Sequence, residues 1–467
     1  MFLDGRCRSP ASAHKGIESC VAENRGMVLR GTEKDNPEPV AKSPIITAIT
    51  AAIRFFQRQP RNWKVTMLRS SLRTFVYKMI FPYQSIYIVG LGASATQLGM
   101  ANTLGMGIAG LLSPLTGWLI DRIGTKKIYL IGISLLAASY LSYAIARSWI
   151  IIVIAMCAWW IGDTVSIHGC ATVCGNSLAN KDRATGMSLC ETFAMGFLGI
   201  IATIIGAFLV ALSGGVSVEA IRPLFFVSLI ITAATFVLIL TQLANRKWST
   251  ASQAVPRLFA GLSEIFKQGQ GLKRWIVIAT LGWLPMGMVL PFTQIFAHEI
   301  KGAQGYVLGA MVAGSAVTPL VLGIPLGRLA DKIGRKKVIF LTAPLFWASN
   351  LLLVWSPNSG VLILAGVLQG FLYVYLTIAG AMSVELVPPE QMGRWIGVMR
   401  FFRLLLAAGV AYLAGAIWDR LGPQYVFLIA VGIDALVRVP LLIGMPETLG
   451  LVVGKRGAEV KQERSPG

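Results

Sequence analysis

The sequence predicts an all-α integral membrane protein with twelve transmembrane helices in two pseudo-symmetric six-helix bundles. Composition, the spacing of apolar runs and an internal duplication carry this prediction. Of 467 residues, 55% are hydrophobic and 13% charged, whereas soluble domains carry about 25% charged residues. The 49 glycines fit as well, because glycine is commoner in membrane helices than in soluble ones. A net charge of +21 would point to nucleic acid in a soluble protein. In a chain this apolar the Lys and Arg residues mark topology instead, and no nucleic-acid partner is expected.

A spanning helix needs about 20 mostly apolar residues. With that window, spans fall at 72–94, 97–118, 128–146, 149–174, 185–211 and 222–243. A second set falls at 275–297, 304–326, 338–355, 360–384, 396–417 and 424–445. The expected organisation is therefore a polar N-terminal segment (1–64), a first bundle (65–243), a linker (244–273), a second bundle (274–447) and a tail (448–467). Basic residues in the short loops fix orientation. One face gathers Lys126, Lys127, Lys181, Arg183, Arg246, Lys247, Lys336, Lys337 and Arg394, and the other has little beyond Arg147, Arg222, Lys301 and Arg420. Both termini are thus expected in the cytoplasm, with the chain as a multi-pass protein of the plasma membrane and as a monomer. Residues 1–62 lack the apolar run of a signal peptide. The stretch 45–56 is too short to span and fits either a helix lying on the membrane surface or an unstructured tail.

The two halves match in sequence at a nearly constant offset. Met79–Tyr87 (MIFPYQSIY) aligns with Met288–Phe296 (MVLPFTQIF). Gly117–Lys127 (GWLIDRIGTKK) aligns with Gly327–Lys337 (GRLADKIGRKK), and Arg183-Ala-Thr-Gly186 with Arg394-Trp-Ile-Gly397. Offsets of 209, 210 and 211, read from Met79 to Met288, Gly117 to Gly327 and Arg183 to Arg394, mean that the whole six-helix unit is duplicated. At these residues the chain resembles the major facilitator superfamily, whose signature is the G-x-L-x-D-R-x-G-x-K/R-K/R run between helices two and three. The resemblance covers roughly residues 65–447. It implies two bundles around a central cavity lined by helices one, four, seven and ten, and transport of a small solute by alternating access.

The signature loop has its own physical reading. Gly117 and Gly327 permit close helix approach, and Gly124 and Gly334 permit a tight turn. Asp121 and Asp331 can accept hydrogen bonds from a helix N-terminus. In the resembled family this aspartate latches the bundles on the cytoplasmic side while the cavity faces outward. Arg122, Lys126, Lys127, Lys332, Arg335, Arg183, Arg394 and Arg403 join this expected gate, either as salt bridges or as topology-setting charges.

For the cavity, matched proline-interrupted helices are the best sequence pointer. Pro82 and Pro291 form such a pair. Tyr83, Gln84 and Tyr87 are expected to line the cavity from the first helix, and Phe292, Thr293 and Gln294 from the seventh. The fourth helix contributes Trp160 and, near its midpoint, Asp163. The tenth contributes Gln369 and Tyr373, one turn apart. A carboxylate in mid-membrane is costly unless paired or hydrated, which makes Asp163 a functional candidate. It is the first candidate for proton coupling, followed by His168 and Glu191. The structural alternative for Asp163 is an ion pair, with Lys78 as the partner considered. Asp434 and Arg438 stand at i,i+4 and can pair with each other. Glu191 and Arg403 are a possible gate across the bundles, and the closeness of Arg400 and Arg403 hints at an anionic solute.

Cys170 and Cys174 sit one helical turn apart near His168, where packing between helices is a simpler reading than metal. No metal, cofactor or catalytic residue is expected. The sequence has no phosphate-binding loop, so nucleotide-driven pumping is not expected, and no H-E-x-x-H or G-x-S-x-G pattern of an enzyme. Unlike many proton-coupled drug exporters of the resembled family, the fourth helix has no Arg and the fifth no Pro. The expected function is secondary active transport of a small organic solute with a proton. The alternative is a transporter-like sensor that binds a solute without moving it.

Overall fold

The computed structural model describes residues 54–178, 197–244, 272–386 and 392–447, apart from the side chains at 117–118, 120–122, 167–177, 384–385 and 392–394. The helices belong to the compact unit that begins at Arg58. Its described residues form helices joined by short turns, with no strand among them. In chain order they are α1 (Arg61–Gly90), α2 (Ala95–Ile123), α3 (Thr125–Ile145), α4 (Trp149–Ser177), α5 (Leu198–Leu212) and α6 (Val218–Gln242). The second half contributes α7 (Leu272–Ile300), α8 (Gly305–Ile333), α9 (Arg335–Trp355), α10 (Ser359–Glu385), α11 (Met392–Arg420) and α12 (Pro423–Ile443). Ten of these are long and apolar enough to cross a membrane; α1 and α5, the latter described only from Phe197, complete the twelve.

Polar caps open several helices. Ser148 accepts from the Ile150 amide at the start of α4, Ser217 from Ala220 at α6, and Asn358 from Val361 at α10. Each satisfies an amide that has no partner within its helix. One boundary differs from expectation. α1 starts at Arg61 and not near 72, because Arg61, Lys64, Arg69, Arg73 and Lys78 interrupt its apolar run. Arg69 and Lys78 are nonetheless buried, since these turns face the protein rather than lipid.

The matched prolines act differently. α1 continues through Pro82. α7 is broken around Gly282–Trp283 and again at Val289, and closes in a π-turn over Phe296–Ile300. Elsewhere the duplication holds at atomic detail. Gly124 and Gly334 both sit at positive φ, 89° and 109°, at the N-caps of α3 and α9, a backbone state that glycine alone adopts freely. Ser139 donates to the Ala155 carbonyl at 2.7 Å, and its counterpart Ser349 to that of Ala365 at 2.9 Å.

The halves meet unevenly. α2 packs along α11 with glycines in the seam: a methyl group on Gly99 would stand 2.3 Å from the Ala411 carbonyl oxygen, and one on Gly415 2.3 Å from that of Ala95. Thr96 donates to Asp419 through both its amide and its hydroxyl. The seam runs to Gly110 opposite Leu404. α5 and α8 meet at Ala207 and Gly309. The largest apolar cluster spans both halves at this end, joining Tyr83, Tyr87 and Phe225 to Phe292, Phe296 and Val307. At the end bearing the basic loops each half has a separate core. One is built on Val65, Tyr129 and Ile239, the other on Trp275, Val338 and Trp395. Among the described residues the halves therefore share one large core at the end away from the basic loops, and at the basic end the apolar packing lies mainly within each half, with Phe81 of α1 reaching the second half's core.

Candidate functional site

Where the shared core ends, charged groups converge from α1, α4 and α11, with the Tyr373 ring of α10 beside them. Asp163, buried on α4, pairs with Arg73 of α1. This corrects the partner considered from sequence: Lys78 is not the residue that neutralises Asp163. One residue on, Thr164 accepts a 3.2 Å hydrogen bond from Arg400 Nη2 of α11, a link between the halves. Arg69 lies 4.2 Å over the Tyr129 ring and reaches the Ser166 carbonyl at 3.5 Å. Lys78 is 2% exposed, with its ammonium 5.0 Å from the centroid of Tyr373 on α10 and 5.9 Å from that of Phe81. Arg403 stands 5.7 Å over the Trp283 ring.

An aromatic wall backs the charges. Tyr77 stacks on Trp159 at 5.5 Å, Trp159 meets Trp160 edge-on, and the Trp159 indole donates to Tyr140. Aromatic faces attract cations by up to about 2 kcal/mol when desolvated, too little to replace a missing counter-ion. The α1 cations have no counterparts across the repeat. At the offset of 209, Arg73 and Lys78 correspond to Gly282 and Gly287, and Asp163 at 210 to Tyr373. Those glycines let α7 press against its neighbours: a methyl on Gly287 would stand 2.0 Å from the Ala407 carbonyl oxygen. The scaffold is duplicated, but the chemistry of this site is not.

Most of the other residues expected at the site serve packing and links between helices. Tyr83 is fully buried and donates to the Gly305 carbonyl at 2.9 Å, tying α1 to α8 in the closed end. Tyr87 donates to the Tyr143 carbonyl and packs on Phe225, and Gln84 donates to the Tyr143 hydroxyl. Phe292 packs on Trp418 in the closed end. Gln369 donates to Thr293 at 3.1 Å, linking α10 to α7, and neighbouring Gln294 is buried with its carbonyl oxygen unpartnered. Trp160 packs between the halves beside Met106, Leu404 and Trp283. Arg183 and Glu191 lie outside the described residues, as do the side chains of His168, Asp121, Arg122, Arg394, Cys170 and Cys174.

At the basic end, Lys127, Asp331 and Lys332 are exposed and Lys126 is partly so. Asp331 is 63% exposed and pairs with Arg335 of the same loop at 3.3 Å, so the described latch residue does not reach the other half here. The loop is instead fastened within its own half. Glu447 accepts from the amides of Arg335 and Lys336 at the start of α9, and the Lys336 ammonium donates to the carbonyls of Ile443 and Met445. Arg69, Arg73 and Glu447 escaped the sequence-based site. A four-residue spacing through Arg69, Arg73 and Tyr77 was the available signal, placing three polar groups on one face of α1.

The major facilitator superfamily model matches residues 66–318 and 286–459. The chain belongs to the major facilitator superfamily. It is a multi-pass membrane transporter and not an enzyme. It is similar to the multidrug resistance protein MdtL of Shewanella oneidensis, 24% identical over 410 residues that cover 84% of this chain and 99% of that protein. Among solved structures it resembles the nucleoside transporter NupG, with a TM-score of 0.66 and 13% identity over 82% of this chain and 99% of that one. It also resembles a D-xylose–proton symporter, with a TM-score of 0.67 and 15% identity over 83% and 98%.

Proposed function

We propose that this chain moves a small organic solute by alternating access, coupled to a proton, with a cleft between the halves open to the cytoplasm in the state described. The supporting observation is the Asp163–Arg73 pair, its carboxylate buried and its guanidinium half-buried, beside the Arg400–Thr164 bond between the halves. A carboxylate held by a neighbouring guanidinium exchanges partners when protonated, and this one touches the seam that must move. Protonation of Asp163 releases Arg73 and loosens α1 from α4; deprotonation restores the pair. The basic end faces the cytoplasm by the positive-inside rule, which puts both termini there in the plasma membrane. On this reading one chain, with both six-helix halves, is the working unit. The similarity to a multidrug resistance protein favours an exporter, while the absence of an Arg on α4 separates the site from many drug/proton antiporters.

Spin labels at matched exposed positions test the reading without knowledge of the solute. Lys127→Cys with Lys337→Cys reports the basic mouth, and Arg147→Cys with Pro357→Cys reports the closed end. Between pH 8 and 5.5, a second population is expected in which the first distance shortens while the second lengthens. Asp163→Asn should remove that pH dependence. A single distance at each mouth under all conditions would sink the proposal.

A further inference from the structure

Where the shared core ends, the buried Lys78 and the half-buried Arg73, Arg400 and Arg403 outnumber the carboxylates described there. Asp163 and Asp434 are the membrane-embedded carboxylates among the described side chains, away from helix ends. Asp434 is committed elsewhere, held by Arg438 through two hydrogen bonds and by the Trp347 indole at 2.6 Å. Asp163 is therefore the one described carboxylate near Arg73, Arg400, Lys78 and Arg403, and Arg73 holds it. Lys78, 2% exposed, makes no hydrogen bond and no ion pair among the described residues; its ammonium meets only the faces of Tyr373 and Phe81. Arg403 faces the Trp283 ring and lies in the field of Tyr375, with no carboxylate beside it among the described residues, and its Nε is buried without an acceptor. Arg400 donates once, to Thr164, and its Nε is also unsatisfied.

An unpaired ammonium buried in a membrane protein is expensive, and a scaffold built by duplication had a neutral solution to hand, since the position matching Lys78 is Gly287. Resting on the reading of the cleft as the transport route, we propose that the solute is an organic anion. Its carboxylate is taken by Lys78 and the arginines of α11, and its flat apolar body lies along the rings of Phe81, Tyr373 and Trp283. Lys78 and Tyr373 belong to opposite halves, so an anion bound at Lys78 sits across the moving seam. Asp163 occupies Arg73 and leaves Lys78 and Arg403 as the cations open to the solute.

The test measures thermal unfolding of the detergent-purified chain against benzoate, 4-hydroxybenzoate and indole-3-acetate, each beside its neutral amide. At least one acid should raise the unfolding temperature while its amide does not, and Lys78→Gln should weaken that acid by about tenfold or more, the size of one charge-assisted contact. Lys78→Arg should restore binding, and Arg403→Gln should weaken it as well. Unfolding of each variant without probe separates lost binding from lost folding, and for a Lys78→Gln protein that fails to fold, Lys78→Arg against Arg403→Gln carries the comparison. Amides that bind as well as acids, acids indifferent to both substitutions, or no response from any acid would each overturn the anion assignment. The spin-label distances decide the transport reading independently: mouths that alternate with pH while no carboxylate binds would leave transport standing and remove the anion.

Discussion

At the scale of single residues, this protein uses charge where its surroundings are least able to solvate it. Asp434 and Arg438 show the cost. They pair at i,i+4 on a π-turn of α12, and Arg438 also lies 4.6 Å over the Tyr375 ring. Breaking such a pair strands the survivor at about 3–5 kcal/mol, whereas replacing both partners by apolar groups is far milder. Arg438→Leu should therefore lower the unfolding temperature sharply in detergent, and adding Asp434→Leu should recover most of the loss; equal losses from single and double variants would count against it. Glu447 makes a smaller contribution, as a cap on two free amides of α9. Glu447→Ala should cost about 1 kcal/mol in the same unfolding measurement.

At the scale of elements, the twelve helices were legible because a span of about 20 apolar residues is a strong signal, and the doubled signature told the two halves apart. What each polar residue faces was not legible. Hydropathy records how apolar a segment is but not which side of it meets lipid, so the turn of α1 that carries Arg69 read as lying before the first span although Arg69 is buried inside the protein. The residues after Pro82 and Pro291 read as cavity lining, yet in this conformation Tyr83, Tyr87 and Phe292 sit in the closed end. The rotation of a helix about its own axis is set by its neighbours, and a single sequence does not contain it. Asp163 could be picked out because a carboxylate at mid-helix is conspicuous whatever it faces. Close helix packing gives a further prediction. Gly99 leaves no room for a side chain against Ala411, so Gly99→Val should prise α2 from α11 and lengthen the Arg147–Pro357 label distance at neutral pH.

At the scale of the whole molecule, a shared core at one end and separate cores at the other make two rigid bodies joined along one edge. Motion then needs the shared edge to open while each half keeps its own packing. Thr96 and Asp419 hold that edge. In a cysteine-free background, Thr96→Cys with Asp419→Cys should form a disulfide under oxidation that fixes the basic mouth open. The Lys127–Lys337 distance should then stop responding to pH, and reductant should restore the response. A pH response that survives the cross-link would show that the halves do not pivot there.

The cationic stripe of α1 also bears on how the protein is made. Each Lys or Arg at the centre of a membrane helix costs about 2.5–3.5 kcal/mol during insertion, and α1 carries five cations along its length. Their described carboxylate, Asp163, is 90 residues further on than Arg73. At about 5–20 residues per second, α4 leaves the ribosome roughly 5–20 s after α1. Through that interval the first helix waits with its charges unmatched, and the fourth completes its entry into the bilayer. The Asp163–Arg73 pair can thus form only after the fourth helix has been made.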